Sequence, residues 1–276
     1  MKNVPALIIS LFISISSFGQ FGFVKKTELE TFKDTRTVVM LTTDSAYNAS
    51  IKAAVDKYWN FTGTVYAYDT SNLKQYKKPE FTFLVFSKSK HSKIKVKVCS
   101  SEEDFNGLQL LKRFNRRALH EDIIARAYCS NKIDTSDWES EMIRGVQLMT
   151  NYFNYAMEAR GELTPSNYPS DKSLMANKKL LVPLKFLEVK GKVDAPALLD
   201  GEVEEVDRDE IEKAIVSQDP STMYYFFTVD DKNCNKIVVT SEKSELMYFT
   251  TASPEKCNCN SDDLKAMKNA KAKANK

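Results

Sequence analysis

The chain predicts an α/β fold made of two related three-layer β-α-β-α-β-β units with a helical insert between them. Three observations carry that expectation. Short β-branched and apolar runs alternate with stretches of 3.6-residue periodicity, the pattern of strands joined by crossover helices. Residues 63–73 (GTVYAYDTSNL) and 201–211 (GEVEEVDRDEI) both fit Gly-x-Val-x-x-apolar-Asp-x-x-x-apolar without a gap. The elements around those two stretches follow one another in the same order.

In the first unit, Thr37–Leu41 (TVVML) reads as a strand buried on both faces. Tyr47, Ile51, Ala54, Val55 and Tyr58 then fall on one helical face, with Thr43 or Asp44 available as N-cap. Thr64–Tyr68 is a second strand, and Asp69 stands at its end to cap a helix carrying Leu73 and Tyr76 that stops before Pro79. Phe81–Phe86 is a third strand, residues 87–92 a polar turn and Lys93–Val98 a fourth strand. The second unit repeats this order: Leu180–Leu184, Glu202–Val206, a cap at Asp207 with Glu210 as its capping-box partner, and a helix with Ile211, Ala214 and Ile215 inside. Pro220 ends that helix, and Met223–Val229, a turn and Ile237–Thr240 follow.

Between the units, Leu119, Ile123, Ile124 and Tyr128 suggest one helix, and the stripe Trp138, Met142, Val146, Met149, Phe153 and Met157 a longer one on which both units lean. The amino terminus has one Lys, an apolar run from Val4 to Phe18 and small residues before Gln20, which reads as a secretory signal cut after Gly19. The expected division is a signal peptide over 1–19, a first unit over 20–98, a helical segment over 99–163, a linker over 164–177, a second unit over 178–252 and a Lys/Ala-rich tail over 253–276. The tail has too little apolar surface to pack.

The candidate sites are weak as motifs. With eight Gly and neither GxGxxG nor GxxxxGK[ST], the chain lacks the loops that cradle phosphates, and a net charge of +3 does not argue for nucleic acid. His91 falls in a Lys/Ser turn, and His120 opens HEDIIARA, where Ile124 replaces the second ligand of a metalloprotease helix. Asp231, Asn233, Asn235 and Glu242 match positions 1, 3, 5 and 12 of a calcium loop, but Lys236 stands where Gly is needed, and a hairpin turn explains the same letters. A small anionic ligand, if one binds, is expected at the carboxyl end of the first strand, at Thr42, Thr43, Asp44 and Ser45. Five cysteines in an exported chain suggest Cys99 paired with Cys129 and Cys234 with Cys257 or Cys259.

Charge says more than any motif. Residues 74–97 hold eight Lys against Glu80, whereas 200–219 hold nine acids against Arg208 and Lys213. Solvated faces explain this, with Lys guarding an edge strand. A docking pair would also explain it, with Lys88, Lys90, Lys93, Lys95 and Lys97 on one side and Glu202, Glu204 and Glu205 on the other.

The ending SFGQ, the lack of a Cys after the cut, and YNxxIKxAVxKYW leading to PEFTFLVFS resemble uncharacterised exported proteins of Bacteroidetes-type bacteria. That resemblance implies a periplasmic or outer-membrane-associated location and supplies no reaction or site residues. The expected function is that of a non-enzymatic envelope protein acting through a protein partner or self-association, with no cofactor, no nucleic acid, and membrane association only through a partner. The alternatives are a module for a small anionic ligand and a hydrolase whose site is assembled from distant residues.

Overall fold

The computed structural model describes residues 26–69, 73–88, 98–101, 105–129, 137–158, 168, 171–189, 194–229 and 233–274. The signal peptide, Lys90, Lys93, Lys95, Lys97 and Asp231 lie outside these residues, as do residues 89–92 of the turn holding His91. The first unit runs α1 (Lys26–Lys33), β1 (Arg36–Leu41), α2 (Ser45–Tyr58), β2 (Gly63–Tyr68), a 3-10 turn at Leu73–Tyr76 and β3 (Phe81–Lys88). β4 (Cys99–Ser101), β5 (Gly107–Leu111), β6 (Arg117–Ala118), a 3-10 turn at His120–Asp122 and β7 (Ile123–Tyr128) follow, before the long α3 (Trp138–Glu158). The second unit opens with a 3-10 helix at Lys172–Asn177 and continues through β8 (Lys179–Pro183), β9 (Leu187–Glu188), α4 (Ala195–Leu199), β10 (Val203–Val206), α5 (Arg208–Ser217) and β11 (Thr222–Val229). It ends in β12 (Cys234–Thr240), β13 (Leu246–Ala252), β14 (Cys259–Asn260) and α6 (Ser261–Ala274).

The two main sheets, of seven and five strands, share the topology of five strands. In the first, β2, β1 and β3 are parallel neighbours and β5 and β7 continue antiparallel from β3. In the second, β10, β8 and β11 are parallel and β12 and β13 continue antiparallel. β4 pairs with Ser87 and Lys88 on the edge opposite β5, and β9 and β14 form a separate two-stranded ladder.

Local chemistry explains the elements. The continuous run in β1 is buried at Thr37 through Leu41, so no alternation is needed. Asp44 caps α2 by accepting the Tyr47 N–H at 2.8 Å, and Tyr47, Ile51, Ala54 and Val55 form its buried face. Asp207 caps α5 by accepting the Glu210 N–H at 3.0 Å.

α3 joins the units. Parallel crossovers are right-handed, which places the helix before β2 and the helix after it on opposite faces of the sheet, and likewise for β10. α2 packs on α3 from one side and α5 from the other. One core therefore runs from Val39, Phe86 and Leu110 through Met142, Val146 and Phe153 to Leu181, Tyr224 and Ile237. Gly145 lets α3 lie close to β5, because a Cβ there would come within 2.9 Å of Leu108 Cδ1. The other face of the second sheet forms a second core with α4, α6 and the 3-10 helix, through Leu180, Tyr225, Met247, Leu264 and Met267.

Three expectations are corrected. The first half of the helical segment is β5–β7: Ile123–Tyr128 is a strand buried at every residue, so its apolar spacing carried no period-2 signal. Residues 93–97 of the expected fourth strand lie outside the described residues, and among those described it is Gly107–Leu111 that pairs antiparallel with β3. The helix after Asp69 is a four-residue 3-10 turn, and the Asp69 N–H bonds the Leu41 carbonyl at 2.9 Å. The tail packs: Leu264 and Met267 of α6 are fully buried, and Asp263 meets the buried Lys236 ammonium at 2.7 Å.

Candidate functional site

The expected ligand loop is closed on itself. The Thr42 N–H donates to Asn48 Oδ1 at 2.9 Å and the Thr42 carbonyl accepts from Asn48 Nδ2 at 2.8 Å. The Asp44 N–H donates to Thr42 Oγ1 at 3.1 Å while its carboxylate caps α2, leaving Thr43 and Ser45 exposed beside a satisfied turn. The crevice between β1 and β3, where the strand order reverses, is occupied by β4.

Of the calcium-loop spacing, Asp231 lies outside the described residues. Asn235 lies within β12, where Thr228 and Thr251 hydroxyls meet its amide at 3.4 and 3.3 Å. The whole of β12 separates Asn233 from Glu242, about 20 Å at the rise of a strand. Among the described residues, no group of three or more His, Cys, Asp or Glu side chains could hold a metal ion, and no helix is long and apolar enough to cross a membrane.

The cysteine pairing differs from expectation in one bridge. Cys234 is joined to Cys257, with Cα atoms 5.6 Å apart, while Cys99 and Cys129 are separate buried thiols. Cys99 Sγ donates to the Asn115 carbonyl at 3.1 Å. Cys259 sits beside Asp263, and burial with that charge pushes its thiol up to about 12, far from a reactive thiolate. Of the acids expected at a docking edge, Glu204 and Glu202 pair with Lys179 at 2.9 and 3.8 Å, and Glu205 accepts the N–H groups of Lys185 and Leu187 at 3.1 and 3.3 Å. Lys88 ends β3, paired with Ser100 of β4.

The structure instead brings cations together around a groove of the first unit. A cavity of about 900 Å³ opens at the end of the sheet where β3 and β7 begin and β5 finishes. Its walls carry Phe32, Tyr76, Phe83, Phe114 and Ile124, with the hydroxyls of Thr31, Thr35 and Thr82 at one side. Lys77, Lys78, Lys112 and Arg113 rim it, with Glu121 and Asp122. A second cavity of about 450 Å³ adjoins it, sharing Lys77 and Phe114 and adding Asp69, Lys74, Asn115 and Arg116. Among the described residues, six cations thus border the groove against three acids.

The groove follows from a shortened crossover. Where α5 covers one face of the second sheet, the described residues of the corresponding crossover in the first hold the turn Leu73–Tyr76. Tyr76 stacks edge-on with Phe81 at 5.2 Å and Phe114 lies 5.5 Å from Phe83, which gives the groove an aromatic floor. The loop carrying Phe114 is pinned: the Lys112 N–H donates to the Asp122 carbonyl at 2.7 Å and the Ser100 N–H to the Arg116 carbonyl at 2.8 Å. Arg113 is bound to Asp122 at 2.7 Å and Glu121 at 3.6 Å, and Lys78 to Glu80 at 3.7 Å. The Lys-rich stretch flagged by sequence supplies Lys74, Lys77 and Lys78. The run KRFNRR at 112–117 supplies the opposite rim, and its charge is the signal in the sequence that points to it.

A second polar cluster lies between the units and is structural. At the start of α3, Glu141 pairs with the buried Arg144, whose guanidinium sits 4.6 Å from the Phe226 ring. Arg208 of α5 reaches Asp137 at 3.0 Å, Glu141 at 3.5 Å and Glu212 at 2.6 Å, tying the second unit to α3. Burial raises the Glu212 carboxyl. Comparison with protein-family models, curated proteins and solved structures gave no match, so the functional reading rests on the chemistry of the groove.

Proposed function

We infer that the protein is an exported binding protein that holds an amphiphilic anion in the groove of its first unit. The observation that carries this reading is the aromatic floor of a cavity of about 900 Å³ bordered by Lys77, Lys112 and their neighbours. Ligand pockets commonly enclose about 300–1,000 Å³, mostly apolar with a few placed polar groups. An alkyl chain on Phe83, Phe114 and Ile124 would leave its charged end among the lysines. This reading is preferred to a protein partner because Glu202, Glu204 and Glu205 are engaged inside the second unit, while a different set of lysines, Lys77, Lys78 and Lys112, lines a cavity. Export rests on the amino-terminal sequence.

Calorimetric titration of the chain from Gln20 with octanoate, decanoate and dodecanoate tests the reading. Each buried methylene contributes about 0.8 kcal/mol, so affinity should rise about fourfold per methylene until the groove is filled. Charge reversal at the exposed Lys77 and Lys112 (K77E, K112E) should weaken binding by more than about tenfold. Affinity that ignores chain length, or is unchanged by both reversals in a folded protein, contradicts it.

A further inference from the structure

We propose that the cavity of about 450 Å³ beside the main groove is a headgroup subsite for a phosphate monoester, so that the ligand is an alkyl phosphate and not a fatty carboxylate. The proposal rests on the groove being a binding site for an amphiphilic anion. Three cations, Lys74, Lys77 and Arg116, line this small cavity against one acid, Asp69. A carboxylate offers one charge and two oxygens. A phosphate monoester offers close to two charges at neutral pH and three acceptor oxygens, which matches the excess.

The geometry fixes Arg116 for that task. Its carbonyl accepts the Ser100 N–H at 2.8 Å and its Nη2 donates to the carbonyl of Asp69, another residue of the cavity lining, at 3.4 Å, so backbone and guanidinium each have an anchor. The preceding residue is held as well: the Asn115 carbonyl accepts from Cys99 Sγ at 3.1 Å and its Oδ1 accepts the Arg117 N–H at 3.2 Å. That leaves the amide NH2 of Asn115 as the donor end of the side chain. A planar guanidinium suits bidentate contact with phosphate oxygens, and Lys74 and Lys77 supply point charges beside it. The two cavities share Lys77 and Phe114, so one ligand reaches both, its chain on the aromatic floor and its head past Phe114.

The test compares dodecyl phosphate, dodecanoate, dodecanol and inorganic phosphate on the wild-type chain and on Arg116→Ala, Arg116→Gln and Lys74→Ala, with circular dichroism as the control for folding. Dodecyl phosphate should bind at least about tenfold tighter than dodecanoate at pH 7.5. That advantage should shrink at pH 5.5, below the second phosphate ionisation near pH 6. Both Arg116 variants should erase the advantage while leaving dodecanoate within about twofold, because its head stays at Lys77. Equal affinity for the two amphiphiles, or an equal loss of both in the variants, overturns the subsite while the groove reading stands. Inorganic phosphate binding as tightly as dodecyl phosphate would overturn the alkyl part of the ligand. Failure of every amphiphile to bind would bring down the groove reading itself.

Discussion

The two sheets share strand order and direction and differ in what lies on their faces. The second is covered by α3 and α5 on one side and by α4, α6 and the 3-10 helix Lys172–Asn177 on the other. In the first, α2 and α3 cover one side, while the crossover on the other is a four-residue turn beside the groove. The charge differs in the same way. The groove of the first unit is aromatic and cationic, whereas the cavity of about 600 Å³ in the second unit is lined by Glu188, Glu255 and Asp262 with Lys256, Lys265 and amide side chains. A shared topology therefore fixes where the core lies, and the crossovers differ: where the second unit has α5, the first has the short turn Leu73–Tyr76 beside the aromatic groove.

The largest expected effect comes from breaking the cover of the second sheet. Asp263 compensates the buried Lys236 ammonium, which also donates to the Asn258 carbonyl at 2.7 Å, and Asp263 accepts from Tyr248 at 2.8 Å. Asp263→Ala leaves that ammonium unpaired and should destabilise the protein by about 3–5 kcal/mol in urea denaturation. Amides of α6 should exchange first, and dodecanoate binding to the still-folded protein should change by less than about twofold. If the variant is as stable as wild type, the ion pair does not hold the cover in place.

A smaller effect concerns Lys172, at the start of the 3-10 helix on that same cover. Burial lowers its ammonium from 10.5 to about 8, with Glu245 pulling the other way. The unfolded chain then holds more protons than the folded one between about pH 8 and 10.5, so stability should rise with pH across the lower part of that window. The gain should be about 1–3 kcal/mol between pH 7.5 and 9.5 and disappear in Lys172→Met, measured by denaturation at each pH. Glu245, raised by burial, titrates at lower pH, and Tyr155 and Tyr168, also raised by burial, oppose the trend only above about pH 10. A wild-type curve that is flat over this range contradicts the assignment.

The smallest effect sharpens the comparison of the crossovers themselves. Asp44 and Asp207 each accept the N–H three residues on, at 2.8 and 3.0 Å, and begin the helices that grip α3 from the two sides. Each replacement by Ala should cost about 0.5–2 kcal/mol, and the two should add when combined, unless α3 couples them. Losses differing by more than about 2 kcal/mol would show that the two helices are not equivalent supports.

Much of this architecture was legible in the sequence. The inner face of α2, the cap at Asp207, the stripe of α3 and both parallel strand sets follow from local periodicity and capping. β5 and β7 were not legible, because strands buried on both faces lose alternation, and Ile123, Ile124 and Tyr128 then imitate a helical face. α6 was missed because its attachment rests on Leu264, Met267 and an ion pair to Lys236, a residue 27 positions from Asp263. The groove was half legible. Lys74, Lys77 and Lys78 stood out as charge, but their meeting with Arg116 and Phe114 depends on the sheet bringing together segments far apart in the chain.

Hydrogen exchange of the full chain, with and without saturating dodecyl phosphate, tests most directly whether only one of the two like sheets carries the proposed ligand groove. Protection is predicted in residues 73–83 and 112–124, which border the two cavities, with residues 179–274 unchanged. Protection confined to the second unit, above all around residues 255–265 at its own cavity, or spread evenly over both sheets, would contradict the account.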